Sequence, residues 1–150
     1  MRAIEAIRKR PAVIGADFSI TEAARRMNEA VVGALVVMDG ERPVGIVTDR
    51  DLVLRAVAHD LPGDARIDSV MSQDLVTLDA NADLRDAFAI FRSHAIRRLP
   101  VVEDGRLVGL VSADDLLVDL AADLGDLVRP ITGQVIFGAP EGEASVLPSE

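Results

Sequence analysis

The chain has no cysteine, which excludes disulfides, thiol nucleophiles and thiolate metal sites. Its two histidines, His59 and His94, lack the spaced companions that a zinc centre needs, so metal catalysis is not expected. Aromatic residues amount to Phe18, Phe88, Phe91 and Phe137, too few to build a base-stacking surface. Positive charge is scarce too: 16 Lys and Arg against 25 Asp and Glu give a net charge of −9, which repels a phosphate backbone overall. A nucleic-acid polymer is therefore not an expected partner. No uncharged stretch reaches the length of a membrane span and the N-terminus carries no long apolar run, so a soluble cytoplasmic protein is expected.

What the chain does have is apolar content, 49% of its 150 residues, enough for one domain with a substantial core. It is arranged as a repeat. Gly45-Ile46-Val47-Thr48-Asp49-Arg50-Asp51-Leu52 returns 64 residues on as Gly109-Leu110-Val111-Ser112-Ala113-Asp114-Asp115-Leu116. At that offset, without a gap, Leu35 falls on Leu99, Val37 on Val101, Arg42 on Arg106 and Val44 on Val108. A solenoid usually needs three or more units, so two copies imply a closed pair whose apolar faces cover each other.

Each copy reads as lead-in, strand, helix, hairpin, helix. Ala12-Val13-Ile14 and Leu75-Val76-Thr77-Leu78 suit short buried leading strands. Arg8-Lys9-Arg10 reads as a solvated basic run, with a phosphate patch as the alternative. Ser19 with Glu22 predicts a capping box opening a helix with Ile20, Ala23, Ala24, Met27 and Val31 on one face, and Asp83 caps its counterpart carrying Leu84, Ala87, Phe88 and Phe91. Apolar β-branched runs around Asp39-Gly40 and Asp104-Gly105 predict two hairpins, and Pro100 places its strand at an edge or at a strand start. A helix from Asp49 to about His59 closes the first unit before the linker Leu61 to Arg66. The last helix runs from Ser112 to Arg129-Pro130 with more leucine than one face requires. Leu116, Leu120, Leu124 and Leu127 form one stripe, and the helices containing Leu52, Leu116, Leu120 and Leu124 predict a homodimer interface. In the tail, Val135-Ile136-Phe137 is a candidate docking strand.

Two units of this order, each with Gly-apolar-apolar-Thr/Ser-x-x-Asp at the last strand-to-helix junction, resemble the cystathionine β-synthase (CBS) domain pair, or Bateman module, over about residues 4–126. Arg98-Leu99-Pro100-Val101-Val102 also fits that family's second-strand pattern. The chain is similar to free-standing bacterial, stress-associated members of this type. The resemblance implies an α/β fold of two pseudo-symmetric units with small mixed sheets, here residues 4–60 and 67–128, joined by 61–66 and followed by a tail, 129–150. It also implies a regulatory module that binds AMP, ADP, ATP, S-adenosylmethionine or a dinucleotide such as NAD in clefts between the units.

The residues fit that expectation physically. Thr48 and Ser112 place a hydroxyl where a phosphate or ribose oxygen can be held, and Asp51 and Asp115, one turn on, offer acceptors for ribose hydroxyls. Val13, Ile14, Val76 and Leu78 are candidates for apolar adenine walls. Arg97 and Arg98, with His94 and Arg92 a turn away, form an anion focus that the first unit replaces by Gly33-Ala34, so one site per chain is expected, with Arg97 and Asp115 acting together. Two plainer readings stay open: Thr48-x-x-Asp51 and Ser112-x-x-Asp115 are also capping boxes, and the basic residues are also plausible solvated strand-entry groups. Asp114-Asp115 and Asp49-Asp51 have no nucleophile, metal or base beside them in sequence, so no enzyme is expected. The rival to a ligand sensor is a ligand-free dimeric scaffold with vestigial clefts.

Overall fold

A computed structural model describes residues 1–7 and 10–132; Arg8-Lys9 and the tail from 133 on, with Val135-Ile136-Phe137, lie outside the described residues. The described chain falls into two compact units, Met1–Ser112 and a second that begins at Ala113. In the first, strands β1 (Val13–Gly15), β2 (Ala34–Asp39) and β3 (Arg42–Thr48) form one mixed sheet in that order, with helix α1 (Ile20–Ala30) between β1 and β2 and helix α2 (Asp49–Asp51) after β3. Strands β4 (Leu78–Asp79), β5 (Arg98–Glu103) and β6 (Arg106–Ser112) form the second, with α3 (Leu84–His94) between β4 and β5. Helix α4 (Ala113–Thr132) is the described part of the second unit.

The repeat governs the register. The parallel pair Ile14↔Val37 is matched 64 residues on by Leu78↔Val101, the antiparallel pair Ala34↔Thr48 by Arg98↔Ser112, and the irregularity at Val37/Met38 by one at Val101/Val102. Both hairpins close with two residues. Asp104-Gly105 has positive φ at both positions, whereas Gly40-Glu41 has it at Gly40 alone, in keeping with the reversed order of glycine. Helices α1 and α3 each leave through a left-handed residue, Val31 and Ala95, again 64 apart.

Local chemistry explains the helix starts. The Ser19 hydroxyl accepts the Glu22 N–H at 3.1 Å, but the reciprocal half of the predicted box is missing because Glu22 turns its carboxylate to Arg26, 3.2 Å away. Asp83 accepts the Arg85 N–H at 2.9 Å. Pro100 sits inside β5, the central strand, which corrects the edge-strand expectation. Its counterpart Val36 donates its N–H to Ala12 at 2.9 Å; proline has no such donor, and the leading strand beside it starts only at Leu78. Leu75 and Val76, expected in that strand, are thereby left outside it. The segment after β3 is also less regular than a single helix: α2 widens into a π turn (Leu52–Ala56) and ends as a 3-10 turn (Val57–His59). Helix α4 continues through Thr132, beyond the expected stop at Pro130.

The core of the first repeat joins Ile14, Ile20, Met27, Leu35, Val37, Val47 and Leu52 with Ile67 and Val70. The last two come from the lead-in of the second repeat, whose 3-10 turn (Ile67–Ser69) packs into the first. The first lead-in reciprocates: a 3-10 turn (Ala3–Ala6) packs on α3 and β6, with Ala3 donating to Ala82 at 2.8 Å and Ile4 to Ala80 at 3.0 Å. The repeats therefore exchange lead-ins, and glycine makes the crossing possible. A Cβ on Gly45 would lie 2.7 Å from both the Met71 sulfur and the Ser72 carbonyl oxygen, and one on Gly109 would strike the Ile7 side chain. Ile7 and Met71 are themselves 64 residues apart.

Gly45→Ala should lower stability by roughly 1–3 kcal/mol in urea titration, because a backbone carbonyl cannot yield, and Gly109→Ala should cost a similar amount because both γ carbons of the β-branched Ile7 stand in the way. A second expectation concerns acid. The Arg85 backbone N–H holds the Asp83 carboxyl below its ordinary value of 3.8, with the N-terminal ammonium and Arg85 charges adding to the effect. A depressed carboxyl stabilises the fold above its unfolded pKa, and that contribution disappears as pH falls through the folded value. The stability advantage of wild type over Asp83→Asn should therefore be present at neutral pH, begin to fall near pH 3.8 and be lost as the pH drops through the lower folded value.

Candidate functional site

The end of β3 and the start of α2 place two of the predicted residues in mutual contact. The Thr48 hydroxyl accepts the Asp51 N–H at 3.1 Å, and Asp51 Oδ2 accepts the Thr48 N–H at 2.9 Å. The capping box is real, yet it leaves chemistry to spare. The Thr48 hydroxyl can still donate its proton, and Asp51 Oδ1 can still accept. Arg55, one turn on, approaches that oxygen at 3.8 Å and also donates to the carbonyls of Val70 at 3.2 Å and Met71 at 3.4 Å.

These groups open onto a cleft of about 320 Å³ within the first compact unit. Thr48, Asp51 and Arg55 form one side, Ser72, Asp74, Leu75 and Val76 of the second lead-in another, and Ile96, Arg97 and Arg98 a third. The lead-in side is pinned by a two-way backbone contact in which Ser72 donates to Ile46 at 2.9 Å and Ile46 to Ser72 at 3.3 Å. Three arginines, Arg55, Arg97 and Arg98, line the cleft with two acidic residues, Asp51 and Asp74. In a chain of net charge −9 this is a local positive excess, with Ile46, Leu75, Val76 and Ile96 as apolar wall. The arrangement suits a small molecule with an apolar ring, hydroxyls and an anionic group.

Of the residues singled out in the sequence, the cleft gathers Thr48, Asp51, Val76, Arg97 and Arg98. Leu78 is buried in β4 against β5 and does not line it. His94 folds back on its own helix, with Nδ1 2.8 Å from the Ser93 hydroxyl and 3.3 Å from the Ile90 carbonyl oxygen. Val13 and Ile14 border a different, larger cleft of about 1190 Å³, which includes none of Thr48, Asp51, Arg97 or Arg98. Ser112 ends β6 and Asp115 stands in the first turn of α4. The sequence grouped Arg97 with Asp115, whereas the cleft joins Arg97 to Asp51.

Arg55, Ser72 and Asp74 went unrecognised in the sequence. Arg55 was accessible there, since four residues after Asp51 puts it on the same helical side. Ser72 and Asp74 were not, because they arrive through the exchange of lead-ins. The proposed helix interface also needs correction: Leu52 belongs to the first-repeat core, packed where the strands need cover, and the exposed apolar residues of that segment are Val53, Leu54 and Val57. On α4, Leu116 is buried while Leu117, Val118, Leu120, Leu124, Leu127 and Val128 are exposed.

With this fold and cleft defined, the comparison with known proteins is direct. The CBS domain matches the chain twice, at residues 3–57 and 67–122, and the protein belongs to the CBS-domain family as a tandem pair. It is similar to the uncharacterized protein YlbB of Bacillus subtilis, 41% identical over 127 residues that span 83% of this chain and 82% of that one. Hypoxic response protein 1 of Mycobacterium tuberculosis is 34% identical over 105 residues, 69% of this chain and 73% of that one. The structure of Hypoxic Response Protein I, which holds two coordinated zinc ions, matches with a TM-score of 0.72, covering 79% of this chain and 98% of that one at 30% identity. A CBS domain protein of Pyrobaculum aerophilum complexed with AMP matches with a TM-score of 0.71, covering 81% and 99% at 30% identity. Among the described residues of the present chain, no group of three or more His, Asp or Glu is placed to hold a metal, and no helix is long and apolar enough to cross a membrane.

The capping geometry makes a direct prediction. Thr48→Val should cost about 1 kcal/mol in chemical denaturation while Thr48→Ser, which keeps the acceptor, should cost a few tenths.

Proposed function

We propose that the protein is a regulatory sensor, not an enzyme, that takes one adenine nucleotide per chain in the cleft around Thr48 and Asp51. The observation that carries this reading is the convergence of Thr48, Asp51, Val76, Arg97 and Arg98, chosen from sequence for separate roles, on one cleft with Arg55. Asp51 Oδ1 receives the ribose hydroxyls, the Thr48 hydroxyl donates to a ribose or phosphate oxygen, Arg97 and Arg98 face the phosphate, and Val76 with Leu75, Ile46 and Ile96 shields the adenine. A volume of about 320 Å³ lies at the lower end for small-molecule sites and favours AMP, ADP or ATP over a dinucleotide such as NAD. The phosphate groups favour a nucleotide over S-adenosylmethionine, whose sulfonium adds positive charge beside three guanidiniums. The AMP complex of the Pyrobaculum relative supports the ligand class.

One site per chain follows from the offset. The positions 64 residues from Arg55, Arg97 and Arg98 hold Asp119, Gly33 and Ala34, so the guanidiniums are not duplicated. Sensing then means that the nucleotide has different affinity for two states of the chain or of its assembly. We place the homodimer surface on the exposed apolar residues of α4, Leu120 and Leu124 among them. That same surface is what a ligand-free interaction protein would use. Cytoplasmic residence accords with a nucleotide ligand.

Calorimetric titration of AMP, ADP, ATP, NAD and S-adenosylmethionine decides between the two. Near-stoichiometric heat with a phosphorylated adenylate is expected, weakened about tenfold or more by Arg97→Ala and by Asp51→Ala and little changed by Asp115→Ala. Absence of heat from all five in a folded dimer would leave the interaction reading standing.

A further inference from the structure

The cleft contains a connection that nucleotide recognition by itself does not require. Asp51 uses Oδ2 for the helix cap, at 2.9 Å from the Thr48 N–H, and presents Oδ1 to Arg55 at 3.8 Å. That separation is an ion pair without a short hydrogen bond, so a donor entering the cleft can take the oxygen from Arg55. The same guanidinium reaches past the carboxylate to the carbonyls of Val70 and Met71. These belong to the lead-in that supplies Ser72, Asp74, Leu75 and Val76 to the cleft, with the Met71 side chain lying over Gly45 and Ser72 paired to Ile46. Arg55 thus touches a carboxylate open to ligand on one side and the backbone of the opposite wall on the other.

The setting of Arg55 is also particular to the first repeat. It lies in the π turn Leu52–Ala56, whereas the corresponding stretch of α4 is regular α-helix, and the residue 64 positions on is Asp119. A π turn within a helix is a local departure often found at functional positions. The charge reversal means that whatever Arg55 does for the first repeat is not repeated by Asp119.

We infer that Arg55 is a positioning residue that couples the state of the Asp51 carboxylate to the 70–72 wall of the cleft. Its link to a nucleotide rests on the function proposed above; its geometry does not. While Asp51 is charged and unoccupied, it holds the guanidinium where both carbonyls are within reach. Removing that charge, or drawing the guanidinium toward a phosphate, releases the carbonyls and loosens the segment that carries Ser72.

Amide hydrogen exchange on the full chain tests this without presupposing a ligand. Asp51→Asn keeps an acceptor for the Thr48 N–H but loses the charge that holds Arg55, so the Met71 and Ser72 amides should exchange at least about fivefold faster, as they should in Arg55→Ala. In the double variant the two effects should not add. Thr48→Val, which breaks the cap and leaves Arg55 alone, should not reproduce the local change. A purely structural role for Arg55 would give faster exchange in Arg55→Ala with wild-type rates at Met71 and Ser72 in Asp51→Asn, and that result overturns the coupling. So does simple additivity. Saturating AMP supplies a further arm: a change in exchange at these amides in wild type should be absent in Arg55→Ala at AMP concentrations that still saturate it. If AMP binds neither protein, the nucleotide reading fails while the variants still decide the coupling.

Discussion

The packing of the first compact unit rests on two close approaches to glycine, one by a backbone carbonyl and one by a side chain. Gly45 lies beneath Met71 and Ser72, and Gly109 beneath Ile7. These contacts let each lead-in leave its own repeat and pack on the last strand of the other. Without them Ile67 and Val70 would be absent from the first-repeat core, and the second lead-in would not form a side of the cleft. A side chain at Gly45 would push on a peptide carbonyl, which has no alternative rotamer to adopt. The cleft and the first-repeat core thus both depend on the same packing of the second lead-in.

On that shared frame, the repeats have diverged in charge while keeping their apolar pattern. Leu35 and Leu99, Val37 and Val101, Ala23 and Ala87, and Val47 and Val111 are all buried pairs at the same offset. Burial tolerates little variation there, since a changed volume opens a cavity or forces strain. The cleft positions carry no such constraint. Arg97 and Arg98 correspond to Gly33 and Ala34, and Gly33 is itself constrained in a different way, since a Cβ would meet the Asp49 carboxylate at 3.3 Å. Duplication supplied the geometry, and substitution at the rim concentrated positive charge in one cleft of an acidic protein.

Much of this was legible beforehand because it is local. The caps of α1 and α3, the two-residue hairpins and the apolar faces follow from side chains acting within a few residues of themselves. Thr48 and Asp51 were legible for the same reason, being three residues apart on one junction. The misreadings are non-local. Pro100 looked like an edge residue, yet it occupies a central strand because the ladder on its N–H side starts late, at Leu78. Leu52 looked available for a partner, but the lead-in of the other repeat and the first sheet enclose it in one core.

The sequence by itself determined the duplication, its register, the two hairpin sheets and the identity of Thr48, Asp51, Arg97 and Arg98 as polar groups worth noting, since each is set by spacing along the chain. Only the tertiary structure decided which of them meet. Arg97 joins Asp51, Val76 stands in the cleft while Leu78 is buried, His94 turns away, and Arg55 links a carboxylate to a wall built from the other repeat. The reason is physical: which segments cross is settled by where a backbone can approach without a clash, and that depends on atoms far apart in the chain.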